Sequence, residues 1–269
     1  GFGSAPEGLE NNEVVYELLA DMGWTKDSID IDRWLEGYCR ARYGFSDESM
    51  REVWKLLHKS VYSSLYSYPR FTWQTVVPDQ RRVSRHDIND DFGKAVEIFL
   101  SLSDKCADSP LYFNDAIEFA SLWLGELADR HYEKALKLGR NEKGREELRK
   151  TVAILSDVDR LLASHPLHRL DRWIADARNE GSSIEKDHRE ANAKRLITTW
   201  GGWQEDYAAR FWSGLIKDYY IPRIEIHFSE KPEMMEEWKE EWINTPYHSN
   251  TKPFDSPLEV AKELIANEK

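Results

Sequence analysis

The sequence predicts an all-α fold, a bundle or array of many helices, and three observations support that prediction. Apolar residues recur at spacings of three and four along most of the chain after residue 12, which is the period of helices with one buried face. Alternation of apolar and polar residues is rare, and only Thr72–Val77 hints at a strand. No fixed-period internal repeat is present, which argues against a repeat architecture.

Capping residues and breakers divide this pattern into successive helices. Several stretches begin with a side chain that can accept a backbone N–H, and Ser182–Glu185 has the pattern of a capping box. Gly144 and Gly181 mark breaks, and Pro222 is expected to end or kink the helix before it. The predicted helices are, in order, 31–39 after Asp30, 46–61 capped by Ser46 with Phe45 as a staple, 92–100, 110–138 after Ser109, 148–162, 173–177, 184–199, 205–220, 232–243 and 257–266.

Length and charge limit the classes of function. The chain has 269 residues and 41% hydrophobic residues, enough for a substantial core. Its formal net charge of −12 argues against a nucleic-acid-binding groove, which needs clustered Lys and Arg. No apolar run approaches the ~20 residues of a membrane span. We therefore expect neither nucleic acid nor a membrane span.

Cysteine and asparagine usage bear on the compartment. Cys39 and Cys106 lie among apolar helical positions, which favours buried free thiols, although a single bridge stays open. No asparagine lies in an Asn-x-Ser/Thr context, so the sequence holds no N-glycosylation acceptor. We expect a secreted or periplasmic protein of bacterial origin.

One carboxylate lies in a sharply turning segment near the start of the sequence. Glu7 stands between Pro6 and Gly8, after a small, Gly-rich run. Proline fixes its own φ and glycine permits a sharp reversal, so this setting can hold a carboxylate at the end of a strand. Judged from its residues alone, a Glu in such a position is more often solvated.

Two blocks of the sequence resemble the α-N-acetylglucosaminidases, glycoside hydrolase family 89. The run PEGLENNEVVYEL over 6–18 is similar to the segment that carries the family's catalytic nucleophile. The second block resembles the signature of the family's C-terminal helical domain, with a shorter spacing from Trp200 to Tyr207 and with Ile224 where the family usually has Trp. It comprises Leu196–Gly201, Asp206–Ala208, Trp212–Ile216 and Tyr219–Arg223.

The resemblance implies two regions and a reaction. Residues 1–16 would be a short remnant of a (β/α)₈ barrel, a strand and loop with the nucleophile Glu7, and 17–269 an all-helical C-terminal domain. The parent would be a retaining exo-enzyme that removes terminal α-linked N-acetylglucosamine without a cofactor. The family's acid/base lies upstream on the barrel, so this chain alone would be inactive, and its partners would be the glycan and the parent's own barrel.

The resemblance also implies that the helical domain forms one side of the sugar pocket. Trp200 would pack against the sugar or its N-acetyl group, and Tyr207 would offer a ring and a hydroxyl. Gly201 and Gly202 would allow this loop to approach the barrel closely. The alternative is that Trp200 is a buried residue before a helix break. The run Tyr219–Arg223 suits a structural role, with Arg223 paired to a carboxylate.

Two further patterns carry open alternatives. Aromatic residues and arginines are interleaved over 63–87. They could form a sugar-binding wall, but aromatic residues of this kind more often pack against the rest of the protein, which would leave the arginines in solvent. His165 and His168 offer two nitrogens but no third ligand at metal spacing, so no metal is expected. The aromatic and basic residues in and beside the 63–87 stretch are Tyr62, Tyr66, Tyr68, Arg70, Phe71, Trp73, Arg81, Arg82, Arg85 and His86.

Two interpretations of the whole chain also stay open. It is either a fragment of an enzyme, or a helical scaffold or interaction domain without catalysis.

Overall fold

A computed structural model of the chain describes Gly3 and residues 13–63, 71–78, 88–201 and 205–268. These residues form an all-α domain without a strand, as predicted, and one isolated bridge joins Arg169 to Ser213. Short 3₁₀ turns lie at Ser103–Cys106 and Pro232–Met234, and a π-helical turn at Ile216–Tyr220. The α-helices are α1 (Glu13–Trp24), α2 (Ile31–Tyr43), α3 (Glu48–Lys59), α4 (Thr72–Thr75), α5 (Asp90–Ser101), α6 (Pro110–Leu138), α7 (Glu142–Leu162), α8 (Leu170–Ala177), α9 (Ser183–Leu196), α10 (Ile221–Phe228), α11 (Met235–Asn244) and α12 (Pro257–Asn267).

A long helical hairpin of α6 and α7 forms the centre of the domain. As predicted, α6 starts after Ser109, whose hydroxyl accepts the N–H of Tyr112 at 3.1 Å, and ends at Leu138. The two helices pack along most of their length. Both helices carry many buried apolar side chains, and fully burying one such side chain contributes about 1.5–3 kcal/mol. The buried apolar residues of the two helices include Ala116, Ala120, Leu124, Ala128, Leu148, Leu155 and Val158.

The other helices form layers on either side of this hairpin. On one side α5 and α12 pack against α6, and α3 packs against α5. On the other side the π-helical turn and α10 pack against α7, and α11 lies against both α10 and α9. The second of the two sequence blocks therefore lies within the layer that covers α7.

The strand hinted at over Thr72–Val77 is wrong, because Thr72–Thr75 form the single helical turn α4. The Gln74 side chain accepts the N–H of Phe71 at 3.0 Å, and Asp129 of α6 accepts the N–H of Trp73 at 3.0 Å. Side chains satisfy these donors, so they are not available for a strand ladder.

The helix predicted over 205–220 is wrong in its extent. Residues 205–214 are turns and irregular backbone, and helical structure begins only beside the π-helical turn. The Tyr220 hydroxyl donates to the Arg210 C=O at 2.9 Å and accepts the Arg210 N–H at 3.1 Å, so this backbone is satisfied without a helix. Pro222 does not end the helical structure. It lies in the first turn of α10, directly after the π-helical turn, and a missing N–H costs least in the first turn of a helix.

Two helix boundaries also differ from the prediction. Asp47 rather than Ser46 caps α3, because its carboxylate accepts the N–H of Met50 at 3.0 Å. Gly144 lies inside α7, and the break comes at Gly139, which adopts a left-handed φ of 74°. The capping box at Ser182 is confirmed.

Candidate functional site

The two aromatic residues singled out in the second block lie side by side on the surface. The rings of Trp200 and Tyr207 meet edge to face, with centroids 5.9 Å apart. Trp200 is 37% exposed and Tyr207 45% exposed, so the alternative of a buried Trp before a helix break is wrong. Two half-exposed rings in contact form an aromatic corner of the kind that can stack on the C–H face of a sugar ring.

A strained loop presents this pair. The loop follows α9, where the N–H of Trp200 bonds to the C=O of Arg195 and the N–H of Asp206 bonds to the C=O of Thr198, both at 2.8 Å. Trp200 has φ 46° and Asp206 has φ 60°. Such left-handed conformations cost about 1–3 kcal/mol for residues other than glycine and persist only where the surroundings enforce them.

A buried ion pair holds the end of this loop. Arg223 of α10 donates from its two terminal nitrogens to the two carboxylate oxygens of Asp206, both at 2.9 Å. Arg223 is 3% exposed and Asp206 4% exposed. Burial raises the pKa of Asp206, and the positive charge of Arg223 opposes that rise. The prediction that Arg223 pairs with a carboxylate is confirmed.

A second cation extends this pair into a network. Lys239 of α11 donates to Glu205, and Arg223 also reaches Glu205 at 3.3 Å. Lys239 was not among the sequence-predicted site residues, because it lies in a Glu-rich stretch and charged side chains are mostly solvated. The signal was nevertheless present: Met235, Lys239 and Ile243 recur every four residues, so Lys239 lies on the buried stripe of α11.

A groove of about 550 Å³ borders this network. Its lining comes from the end of α4 and the segment after it, from Glu205 and Asp206, and from α10 and α11. Polar and charged side chains of both signs line it, an arrangement suited to hydroxyl-rich ligands. The lining residues include Thr75, Val76, Glu205, Asp206, Arg223, His227 and Lys239.

The aromatic residues at 71 and 73 serve packing rather than a sugar-binding wall. Phe71 and Trp73 are fully buried and stacked, with ring centroids 5.0 Å apart. Trp73 also contacts Tyr220 edge to face at 5.4 Å, and Tyr62 stacks on Trp54 at 6.0 Å. Tyr66, Tyr68, Arg70, Arg81, Arg82, Arg85 and His86 lie outside the described residues.

The predicted nucleophile also lies outside the described residues. The structure resumes at Glu13, the first residue of α1, six positions after Glu7. The role of Glu7 and the division of the chain at residue 16 therefore stay predictions.

The fold supplies a third group beside the two histidines. Glu118, His165 and His168 each place one potential ligand atom within 4.8 Å of the others. However, Nδ1 of His165 accepts the N–H groups of Leu167 and His168, at 3.1 and 3.2 Å. A neutral ring then carries its proton on Nε2, the nitrogen that a metal would need. Burial lowers the pKa of His165 to about 3, which favours that neutral ring. The cluster therefore fits a metal poorly, and the absence of a metal stays a prediction.

Two simpler expectations can be compared with the structure directly. Cys39 and Cys106 are free and buried, as predicted. Within the described part of the chain, no helix combines the length and the apolar character needed to cross a membrane.

Comparison with known proteins decides the family. Residues 34–267 match the family described as the α-N-acetylglucosaminidase (NAGLU) C-terminal domain. The chain belongs to this family. The human α-N-acetylglucosaminidase is 31% identical over 243 residues, a match that covers 83% of this chain and 32% of the human protein.

Solved structures of a bacterial family 89 glycoside hydrolase share the fold. The Clostridium perfringens enzyme in complex with PUGNAc matches with a TM-score of 0.82 and 26% identity, over 96% of this chain and 33% of that one. A variant of this enzyme with two Glu→Gln substitutions, in complex with its substrate GlcNAc-α-1,4-galactose, matches with a TM-score of 0.79 and 25% identity, over 95% of this chain and 33% of that one. The chain thus spans about a third of the length of these relatives, which are glycoside hydrolases. The predicted resemblance to family 89 is confirmed.

Proposed function

We propose that this chain is the C-terminal part of a retaining exo-α-N-acetylglucosaminidase and forms one wall of its sugar pocket. The observation that carries the proposal is the half-exposed Trp200–Tyr207 corner on a strained loop held by Arg223 and Asp206. Strained backbone clusters at binding and active sites, and aromatic faces suit sugar rings. The relatives' names supply the substrate class, a terminal α-linked N-acetylglucosamine.

Glu7 is the proposed nucleophile. Retention of configuration requires two carboxyl groups about 5–5.5 Å apart, one as nucleophile and one as acid/base. We propose that the acid/base lies on a barrel upstream of this chain, so that the chain alone does not hydrolyse glycosides. A terminal glycan as substrate accords with the expected secreted or periplasmic location.

The outer face of α1 supports contact with such a barrel. Val15, Leu19 and Met22 recur at helical spacing and are exposed, and Trp24 at the end of the helix is 87% exposed. The adjacent face of α1 packs on the domain through Val14. The apolar stripe of α1 is therefore wider than the face that this domain covers, and exposed apolar surface of this kind marks a contact with another domain or protein.

Hydrolysis of 4-nitrophenyl α-N-acetylglucosaminide tests the proposal. The chain and a version extended upstream to the length of the relatives are assayed side by side, together with Glu7→Gln in the extended protein. We expect activity in the extended protein alone, and a loss of at least about a thousandfold in the variant, because a missing nucleophile blocks the glycosyl-enzyme intermediate. Glu10→Gln is the matched control and should retain activity.

Two results would overturn the proposal. Full activity of Glu7→Gln would remove the nucleophile assignment. An extended protein that folds but does not hydrolyse the substrate would favour the alternative, a helical scaffold or interaction domain.

A further inference from the structure

Three residues other than glycine have a left-handed φ in the described part of the chain: Val76 at 69°, Trp200 at 46° and Asp206 at 60°. They lie in two parts of the chain that are far apart in sequence, the segment 72–77 and the described residues 198–201 and 205–207. Left-handed φ is uncommon outside glycine and least tolerated by β-branched residues such as Val76. Something in the surroundings must therefore hold each segment in place.

Arg223 bonds to both segments at once. It donates to the C=O of Gln74 at 3.0 Å and to both carboxylate oxygens of Asp206 at 2.9 Å. Its guanidinium carbon also lies 4.7 Å from the centre of the Tyr219 ring. One side chain thus joins segments that are 149 and 17 residues away from it in sequence.

Arginine chemistry suits this position. The guanidinium is planar and presents its donors as a rigid fork that matches the two oxygens of a carboxylate. The two terminal nitrogens of Arg223 donate to the carboxylate of Asp206, and a second N–H on one of them donates to the carbonyl of Gln74. A lysine has a single nitrogen on a flexible stem, so it keeps the charge but loses the fixed angle between the two segments.

We propose that Arg223 is a positioning residue for the sugar pocket. By fixing Asp206, the neighbour of Tyr207, relative to the segment 72–77, it sets where the rings of Tyr207 and Trp200 stand. Arg223 acts on the sugar through the position of these two rings. The effect on catalysis rests on the function proposed above, whereas the effect on loop geometry is independent of it.

The first experiment measures that geometry in the chain itself. The tryptophans are labelled with 5-fluorotryptophan, and the ¹⁹F signal of Trp200 is assigned with Trp200→Phe. Tyr207→Leu shows how much of its chemical shift comes from the neighbouring ring. In Arg223→Lys we expect the Trp200 signal to move toward its position in Tyr207→Leu or to broaden, while the melting curve still shows a folded protein.

Variants that separate folding from positioning complete this experiment. Arg223→Met leaves Asp206 buried without its cation and can unfold the chain, so Arg223→Met with Asp206→Asn removes both charges together. Arg145→Met is the matched control, because Arg145 forms an exposed ion pair with Glu230; it should leave the Trp200 signal unchanged. An unchanged Trp200 signal in folded Arg223→Lys or in the folded double variant would overturn the proposal.

The second experiment measures kinetics in the extended protein. We expect Arg223→Lys to raise KM by about tenfold and to leave kcat within about twofold, because a displaced wall weakens binding in the ground state and the transition state alike. A purely structural role would lower the active fraction, and so the apparent kcat, at unchanged KM. Unchanged KM with a shifted Trp200 signal would overturn the catalytic part of the proposal. An inactive wild-type extended protein would instead refute the proposed function, and the ¹⁹F result would still decide the positioning role.

Discussion

The α6–α7 hairpin and the region around Arg223 are held together by different physics. The hairpin consists of regular helices, and most of their buried side chains are apolar. Around Arg223, irregular backbone with left-handed residues is fixed by buried charges and by hydrogen bonds from side chains to backbone. The comparison indicates that apolar packing stabilises the hairpin, whereas the geometry of the candidate pocket depends on a few directional contacts.

The largest effect on stability is therefore expected in the hairpin. Leu155 of α7 is fully buried, and Leu155→Ala should lower the free energy of unfolding by about 2–5 kcal/mol, since it removes apolar contact and leaves a cavity. Urea unfolding measures the loss. The exposed Leu167→Ala serves as control and should stay within about 0.5 kcal/mol of the wild type.

This variant also probes the contrast between the two regions. Leu155→Ala should leave the ¹⁹F signal of Trp200 where it is, whereas Arg223→Lys should move that signal. A shift of the Trp200 signal in folded Leu155→Ala would show that packing of the hairpin, rather than Arg223, sets the loop.

Asp159 brings the two kinds of interaction together in one helix. Its carboxylate lies fully buried in α7, one turn from Leu155, and accepts the N–H of Gly214 at 2.6 Å and the hydroxyl of Thr251 at 2.7 Å. Burial raises its pKa from 3.8 to about 6, although these hydrogen bonds oppose the rise. Between about pH 4 and pH 6 the unfolded chain has therefore released a proton that the folded chain keeps.

Stability should fall across that window as the pH rises, and the contribution of Asp159 should level off above pH 6. The contribution is about 2–3 kcal/mol at most, from a shift of about two pKa units. Asp159→Asn cannot titrate, so urea midpoints of the variant and the wild type should diverge from pH 4 to pH 6, with the variant gaining. A difference that does not change with pH would contradict the buried, protonated Asp159.

The hairpin was predictable from the sequence because its signals are local. Ser109 and Pro110 mark the start of α6, and apolar residues at spacings of three and four mark its buried face. The helix after residue 205 was predicted by the same periodicity and was wrong. There the Tyr220 hydroxyl, ten residues away, satisfies the backbone of Arg210, and a contact of this kind leaves no periodic trace.

The candidate site was predictable only in part, because its contacts join residues that the fold brings together. Trp200 and Tyr207 were identified through the family resemblance, and their contact required the fold. The partner of Arg223 was expected to be a carboxylate, but its identity depends on a loop that turns through a left-handed residue at Asp206 itself. Lys239 was missed because it lies in a Glu-rich stretch. Its spacing of four residues from Met235 and from Ile243 would have placed it on the buried stripe of α11.

A smaller effect is expected at the turn of the hairpin. A Cβ on Gly144 would lie 1.8 Å from the carbonyl oxygen of Gly139, so Gly144→Ala forces backbone to move. We expect a loss of about 1–3 kcal/mol, the usual range for overpacking. A Cβ on Gly37, an exposed residue inside α2, meets nothing within 4 Å. Gly37→Ala should therefore raise stability by up to about 1 kcal/mol, and equal effects of the two variants in thermal unfolding would contradict this structure of the turn.

The smallest effect is expected at the start of α9, the helix that leads into the Trp200 loop. Ser182 caps α9, and its N–H and hydroxyl both donate to Glu185, at 2.7 and 2.8 Å. Ser182→Ala should cost about 1 kcal/mol of unfolding free energy, whereas Ala at the exposed first helical residue, Ser183, should cost nothing. The ¹⁹F signal of Trp200 should not move in either variant, because fraying at one end of α9 leaves the contact between Arg223 and Asp206 intact. If the Trp200 signal moved in Ser182→Ala, the loop would instead be positioned through α9. Regular helical structure, and not only the contacts of Arg223, would then set the geometry of the candidate pocket.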